Sequence, residues 1–139
     1  MAAQEYILAL DYGDKRVGVA IAHYIARLPR PLTTLPNSDT LQADIQKLVA
    51  HEKVMRVVVG LPRGMDGGYT AQTKVAESFA KNLQATLQVP VMLTDETLTS
   101  VDAESVLNGQ NYQKGDVDAM AATFILERYL ADHPAKEVR

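Results

Sequence analysis

The sequence of 139 residues contains no cysteine, so disulfide bonds, thiolate catalysis and cysteine-ligated zinc are excluded. It also lacks any apolar run near the ~20 residues that a membrane-spanning helix needs. The first residues, MAAQEYI, lack the basic segment and the apolar stretch of a secretory signal. These three absences predict a cytoplasmic protein that does not enter a membrane.

Sequence motifs of several common enzyme classes are missing as well. There is no phosphate-binding G-x-x-x-x-G-K-[ST] loop, no dinucleotide-binding G-x-G-x-x-G and no hydrolase G-x-S-x-G. The three histidines, His23, His51 and His133, do not share a local metal-ligand spacing. The remaining candidates for catalysis are carboxylates.

Charge is distributed unevenly, although the net charge is only −3. Residues 1–63 hold eight Lys/Arg and six Asp/Glu, whereas residues 64–139 hold six and eleven. The basic half permits a local phosphate-binding surface, although any one of its arginines is better explained as solvated surface charge. The arginines concerned are Arg27, Arg30, Arg56 and Arg63.

Hydrophobic periodicity predicts an α/β fold with three strands first and strands alternating with helices later. A strand–helix–strand connection implies a parallel pair, so the sheet should be mixed, with helices on both faces. The segment 108–116 is polar and is expected to be a mobile loop. The strands are expected at 6–11, 17–22, 31–35, 55–61 and 89–96, and the helices at 37–53, 69–88, 99–107 and 117–131.

Local signals add detail to three of these elements. Prolines in and around the third strand indicate that it lies at an edge of the sheet. The first helix is expected to be capped by Asn37, Ser38 or Asp39. The inward side of the second helix is expected to contain Gln72, Val75, Phe79, Leu83 and Leu87.

Three segments each deliver a carboxylate to the end of a predicted buried element. Asp11 closes the first strand, which should be central. Asp95 and Glu96 close the last strand, and Asp118 lies in the first turn of the last predicted helix, on its inward side. An unpaired, dehydrated carboxylate is costly, and its pKa rises in favour of the neutral form. A divalent cation removes this conflict, and two such ions can assist phosphodiester cleavage.

Each of these acids also has a purely structural explanation. Asp11 could accept hydrogen bonds from the amides of the turn behind it, and Asp118 could simply favour a helix N-terminus. The two acids of the last strand could face solvent. The loop RGMDGG offers backbone amides and Arg63 to a phosphate, or it is a plain strand–helix connection. The coincidence of acids at three element ends favours the catalytic interpretation.

Four segments occur in order: LALDYGDKRVGVA, VVVGLPRGMDG, LTDETLTS and KGDVDAMAATFILERYL. Together they resemble the YqgF/RuvX family of RNase H-like proteins over residues 5–131. That family is described as Holliday-junction resolvases and as nucleases that mature the 5′ end of 16S ribosomal RNA. The resemblance implies a ribonuclease H-like sheet of five strands in the order 3-2-1-4-5. It also implies one nuclease domain over 1–139, with a tail at 132–139.

The resemblance assigns catalytic and metal-binding roles to three of the acids. The family's acids fall on Asp11, Glu96 and Asp118, with Asp95 as a further candidate ligand. They imply Mg²⁺ or Mn²⁺ as the cofactor, in a pair of ions.

The resemblance also assigns residues to the substrate. The family's lysine ahead of the last helix falls on Lys114. One position departs from the family pattern, because Thr97 stands where an arginine is usual. The candidates for contacts with substrate phosphates are Lys114, Arg63, Lys15 and Arg16.

The function implied is that of a metal-dependent endonuclease acting on structured nucleic acid. Its partner is either branched DNA or precursor ribosomal RNA, the latter within a ribosome precursor. Monomer and homodimer both remain open, since symmetric junction cleavage requires a dimer and RNA trimming does not. A non-catalytic RNA- or ribosome-binding module on the same fold is an alternative. An ATP-binding protein of actin-like ancestry is less favoured, because it needs two such lobes.

Overall fold

The computed structural model describes residues 5–64, 66–96 and 114–134. Within these ranges the chain forms a five-stranded sheet and three helices. The strands are β1 (Tyr6–Tyr12), β2 (Arg16–His23), β3 (Arg30–Pro36), β4 (Val54–Pro62) and β5 (Val91–Glu96). The helices are α1 (Leu41–His51), α2 (Ala71–Thr86) and α3 (Lys114–Asp132).

The strand order is β3-β2-β1-β4-β5, which confirms the predicted topology. Strand β1 is antiparallel to β2 and parallel to β4, while β3 pairs antiparallel with β2 and β5 pairs parallel with β4. The proline-containing β3 is an edge strand, as predicted. Because β1 is central, its last residues lie between the start of β2 and the end of β4, and Asp11 pairs with Gly18.

Two apolar cores cover the two faces of the sheet. Successive side chains of a strand point to opposite faces, so Leu8 and Leu10 pack with α1 and α2, whereas Ile7 and Ala9 pack with α3. The α3 side is rich in alanine, which allows the helix to lie close to the strands. Asp11 continues the Ile7 and Ala9 row and therefore belongs to the α3 face.

The start of α1 differs from the prediction. Its N-cap position is Thr40, without a side-chain capping hydrogen bond, so Asn37, Ser38 and Asp39 do not cap it. The chain turns between β3 and α1 instead. The amide of Ser38 donates to the carbonyl of Pro36, and the amide of Leu41 donates to the carbonyl of Ser38. Ser38, one of the three residues predicted as caps, therefore forms part of this turn.

The inward side of α2 is also rotated from the predicted stripe. Thr73 and Ala76 are buried, whereas Val75 is 43% exposed and Gln72 is exposed. The hydroxyl of Thr73 donates to the carbonyl of Pro62 and also takes part in a capping box with Thr70. This polar anchor sets the rotation of the helix, and an apolar pattern does not reveal it.

The last helix begins earlier than predicted, at Lys114. The last three residues of the predicted loop 108–116 are therefore helical, and Asp118 lies in the second turn. Packing of α3 against the sheet outweighs the low helix propensity of Gly115. The predicted helix 99–107, the remainder of the predicted loop and Thr97 lie outside the described residues. Across the described residues, no helix combines the length and the apolar character of a membrane span.

Candidate active site

Asp11 and Glu96 meet on the α3 face from two different strands. Asp11 lies at the end of central strand β1, and Glu96 ends β5 with only 8% of its surface exposed. The two side chains are joined by a hydrogen bond. A hydrogen bond between two carboxyl groups requires a proton on one of them, so this contact favours the protonated form of Asp11.

Asp118 reaches the same place from α3. The helix can lie this close because β2 has glycine at position 18, where a Cβ atom would lie 1.9 Å from the carbonyl oxygen of Asp118. The Asp118 carboxylate accepts a hydrogen bond from Nε of Arg16 at 2.6 Å. We refer to Asp11, Glu96 and Asp118 as the acid cluster.

The acid cluster raises the pKa of one of its members. Burial lifts the pKa of Asp11 well above its ordinary value, and the negative charge of Glu96 and the hydrogen bond to it lift this pKa further. The charge of Asp118 acts in the same direction. These directions are the ones expected for three carboxylates that lie near one another at the edge of the core.

Gly60 is part of the site although sequence reasoning did not single it out in this role. A Cβ atom at this position of β4 would lie 2.9 Å from Oε1 of Glu96 and 2.5 Å from Cδ1 of Ile125. The absence of a side chain therefore makes room for the Glu96 carboxylate beside α3. The available signal was a glycine within a run of buried β-branched residues, which marks a close approach.

The structural explanation of Asp11 required its carboxylate to accept hydrogen bonds from the amides of the turn after β1. The hydrogen bonds described in this turn join other groups instead. The amide of Gly13 donates to the carbonyl of Arg16 at 3.0 Å. The side-chain Nδ2 of Asn37 donates to the carbonyl of Gly13, and the backbone amide of Asn37 donates to the carbonyl of Lys15. Asn37, predicted as a helix cap, therefore supports the turn that carries Lys15 and Arg16.

Asp95 is not brought together with the acid cluster. Neighbouring residues of a strand point to opposite faces, so Asp95 faces away from Glu96. Its side chain is 52% exposed and accepts a hydrogen bond from Nε of Arg63 at 3.1 Å. The structure thus separates the two acids that end β5.

The RGMDGG loop uses backbone amides for its own turn. The amide of Gly64 donates to the carbonyl of Gly68, and that of Gly67 donates to the carbonyl of Gly64. The amide of Gly68 donates to the Asp66 carboxylate. These three amides do not form the expected phosphate cradle, so the remaining candidate of this loop is Arg63.

The four cationic candidates are arranged differently. Lys15 is exposed in the turn between β1 and β2, whereas Arg16 is partly buried and bound to Asp118. Arg63 is bound to Asp95. Lys114 is the first residue of α3, and its side chain lies outside the described part of the chain.

The acid cluster has the oxygen donors that a divalent cation prefers, but these oxygens are not yet arranged around one position for an ion. Among the residues described, no three His, Asp or Glu side chains are already placed to hold one ion. Asp118 is bound to Arg16, and Asp11 and Glu96 are hydrogen-bonded to each other. The chemistry of the donors nevertheless fits, because Mg²⁺ and Mn²⁺ prefer carboxylate oxygen and would relieve the repulsion recorded in the raised pKa of Asp11.

Comparison with known proteins gives matches over nearly the whole chain. A model of the RuvX family, described as Holliday junction resolvase, matches residues 5–132. A relative from Chloroflexus aggregans named "Putative pre-16S rRNA nuclease" is 42% identical over 133 residues, covering 91% of this chain and 94% of its own. A relative of the same name from Polynucleobacter necessarius is 39% identical over 127 residues, covering 90% and 84%.

Two solved structures share the fold at low sequence identity. RuvC of T. thermophilus in complex with a Holliday junction substrate has a TM-score of 0.53 and 13% identity, covering 94% of this chain and 96% of that one. The Fowlpox virus resolvase in complex with Holliday junction DNA has a TM-score of 0.53 and 14% identity, covering 94% and 99%. The predicted ribonuclease H-like fold is confirmed.

Proposed function

The chain belongs to the RuvX family, described as Holliday junction resolvases, and from this membership we propose a metal-dependent endonuclease that cleaves structured nucleic acid. The family makes it a nuclease, a hydrolase of phosphodiester bonds. The substrate we propose is the 5′ region of precursor 16S ribosomal RNA or a DNA junction. The observation that carries the proposal is the convergence of three carboxylates from β1, β5 and α3, with the pKa of Asp11 raised by burial and by its acidic neighbours.

Asp11, Glu96 and Asp118 would hold the Mg²⁺ or Mn²⁺ ions. The chemistry that bound ions supply is activation of water and stabilisation of the leaving oxygen of the phosphodiester. Asp11, whose pKa is raised, must be ionised to act as a ligand, so cation binding favours loss of its proton. Cation binding at the acid cluster is therefore coupled to proton release and should strengthen as the pH rises.

Arg16 has two partners available in this proposal. Without substrate it donates to the Asp118 carboxylate, which offsets part of the negative charge of the acid cluster. With Asp118 engaged as a metal ligand, the guanidinium of Arg16 would be available to bind a substrate phosphate, for which its planar set of donors is suited. Lys15, Arg63 and Lys114 would add further phosphate contacts.

The setting of this activity also belongs to the proposal. We infer a single nuclease domain over residues 1–139 that acts in the cytoplasm, with the ribosome precursor as the site of RNA cleavage. If the substrate is a DNA junction, the active form should be a homodimer. If it is precursor RNA, a monomer suffices.

Cleavage by the purified protein tests this function. Precursor 16S RNA and a four-way DNA junction are each incubated with Mg²⁺, with Mn²⁺ and with EDTA, and products are mapped by gel electrophoresis. We expect cleavage of at least one substrate in either metal and none in EDTA. Binding without cleavage under every metal condition would contradict the proposal and support the non-catalytic module. Binding of ATP without nucleic-acid cleavage would support the actin-like alternative.

A further inference from the structure

A second group of polar residues lies on the α3 face, at the end of the sheet opposite the acid cluster. It lines a cavity of about 360 Å³. We refer to it as the basic cavity, and its lining includes Ile7, Tyr24, Arg27, Arg56, Tyr129 and His133. Two of the four arginines noted in the basic half of the sequence thus meet at one place that the nuclease site does not use.

Both arginines in the basic cavity interact with neutral groups. Arg56 donates to the Tyr129 hydroxyl at 2.9 Å, and its guanidinium carbon lies 5.8 Å from the centre of the Tyr24 ring. Arg27 donates from Nη2 to the carbonyl oxygens of Leu130, at 2.8 Å, and His133, at 2.6 Å. In the described ranges, no carboxylate forms an ion pair with either guanidinium. Among the described residues, the cavity therefore has two positive charges without an acidic ion-pair partner, which suits an anion.

Aromatic rings form much of the remaining wall. The rings of Tyr129 and His133 stack with centroids 4.3 Å apart and an angle of 23° between their planes. The ring of Tyr24 lies on the other side of Arg56. Guanidinium groups and aromatic rings together are the side chains on which nucleic-acid bases and phosphates are held.

We propose that the basic cavity binds a nucleotide, with its phosphate on Arg27 and Arg56 and its base against the aromatic rings. The volume lies near the lower end of the ~300–1,000 Å³ of small-ligand pockets, so it suits one nucleotide rather than several. The site is separate from the acid cluster, because α3 rises ~1.5 Å per residue and so places Tyr129 roughly 16 Å from Asp118. The nucleotide is either free or one unit of a bound strand, and the proposal does not depend on cleavage.

Nuclear magnetic resonance titrations in EDTA test this binding without the nuclease reaction. Uridine 5′-monophosphate, uridine and inorganic phosphate are added separately, and the backbone amides of Tyr24, Arg56 and His133 are followed. We expect the monophosphate to shift these amides with an affinity at least about tenfold above that of either fragment, since only it can use both the cationic and the aromatic groups. Equal affinity for inorganic phosphate, or no shift at millimolar monophosphate, would overturn the proposal.

Two variants and a matched control sharpen the test. Arg56→Gln should weaken binding of the monophosphate by about tenfold or more, because a charge-assisted hydrogen bond is lost. Arg128→Gln removes the same charge from the exposed ion pair with Asp132 on α3 and should leave the affinity unchanged. Equal effects of the two variants would contradict the assignment. If Arg56→Gln does not fold, His133→Ala at the exposed end of the cavity should still weaken binding several-fold, and unchanged affinity would refute the proposal.

The source of the nucleotide is decided by one more comparison. A 5′-phosphorylated tetranucleotide is titrated beside the monophosphate under the same conditions. Tighter binding of the tetranucleotide, with the same cavity amides shifted, supports a site for a nucleotide within a strand. Binding of the monophosphate alone supports a site for the free nucleotide. A monophosphate that leaves the cavity amides unshifted refutes both forms of the proposal, whatever the tetranucleotide does.

Discussion

The two ends of the α3 face treat charge in opposite ways. At the acid cluster, three carboxylates from three elements face one another, with Arg16 bound to one of them. At the basic cavity, each arginine is bound to hydroxyl, carbonyl or ring groups that carry no opposing charge. One row of β1 side chains reaches both ends, since Ile7 lies at the basic cavity and Asp11 lies at the acid cluster.

The acid cluster is thus an electrostatically unfavourable arrangement, whereas the charged groups of the basic cavity have their hydrogen-bond partners. Burial, together with the like charges of Glu96 and Asp118, makes ionisation of Asp11 unfavourable, which is why its pKa is raised. The arginines of the basic cavity have hydrogen-bond partners in place, so they are held without a ligand. Removal of charge should therefore relieve the fold at the acid cluster and should not do so at the basic cavity.

The largest expected effect is on cleavage. Asp11→Asn keeps the shape of the side chain and removes its charge, so cleavage should fall by at least about a hundredfold, more than the loss of a group that only orients a ligand. Asp132→Asn removes the same charge at the far end of α3 and should leave cleavage close to that of the wild type. Initial rates at saturating Mg²⁺ measure both. Near wild-type cleavage by Asp11→Asn would remove Asp11 from the catalytic residues.

The second expected effect concerns how α3 is held at the acid cluster. Gly18→Ala would push a Cβ atom into the backbone carbonyl of Asp118, which has no room to move, so we expect a loss of about 1–3 kcal/mol in the free energy of unfolding. A Cβ atom at Gly60 would lie closest to side-chain atoms of Ile125 and Glu96, and not to backbone. Gly60→Ala should cost less stability but displace Glu96 and lower cleavage. Urea denaturation and cleavage rates of both variants give the comparison, and equal stability losses would contradict it.

The third expected effect is on stability in the absence of metal. A carboxyl whose pKa is raised on folding keeps its proton in the native state while the unfolded state loses it, so native stability falls as the pH rises from about 4. Asp11→Asn lacks this loss. Near neutral pH in EDTA, its free energy of unfolding should therefore equal that of the wild type or exceed it by about 1 kcal/mol. The variant should also lose most of the stabilisation that Mg²⁺ gives the wild type. Thermal melts across pH, in EDTA and in Mg²⁺, measure both effects.

One result of these melts would favour the structural role. If Asp11→Asn melts well below the wild type in EDTA at neutral pH, Asp11 stabilises its turn and the repulsion at the acid cluster is not the dominant effect. The Asp132→Asn control identifies any general effect of charge removal.

The smallest expected effect is on the salt dependence of substrate binding. Lys15→Gln should lower the affinity for nucleic acid modestly and reduce the slope of log affinity against log salt by about 1, because one phosphate contact is lost. Lys114→Gln should act in the same way. Lys47→Gln, at an exposed position of α1 on the other side of the sheet, is the control. An unchanged slope would mark the substituted lysine as solvated surface.

Some parts of the site were predictable because they depend on local patterns. Asp11 and Glu96 end hydrophobic strands, and Asp118 shares a helix face with residues of apolar spacing, so their position near one another followed from the order of the elements. The separation of Asp95 from Glu96 was also predictable, since neighbouring strand residues face opposite sides.

Other parts were not predictable because they depend on how distant elements pack. Arg16 and Asp118 are 102 positions apart, and Arg56 and Tyr129 are 73 apart. Each pair is set by where α3 crosses the sheet, and no local spacing encodes that. The rotation of α2 was not predictable for a different reason. Thr73, which anchors the helix, is a buried polar residue, and an apolar pattern does not reveal it.

Paramagnetic broadening by Mn²⁺ tests most directly whether the acid cluster is the metal site. Amide signals are followed while Mn²⁺ is added at substoichiometric amounts to the metal-free protein, with Asp11→Asn as the control. We predict that the amides near Asp11 and Glu96 broaden first, while those of Tyr24, Arg56 and Tyr129 at the other end persist, and that the variant loses this selectivity. Broadening that spares the acid cluster, or that is the same in Asp11→Asn, would contradict a metal site formed by these three carboxylates.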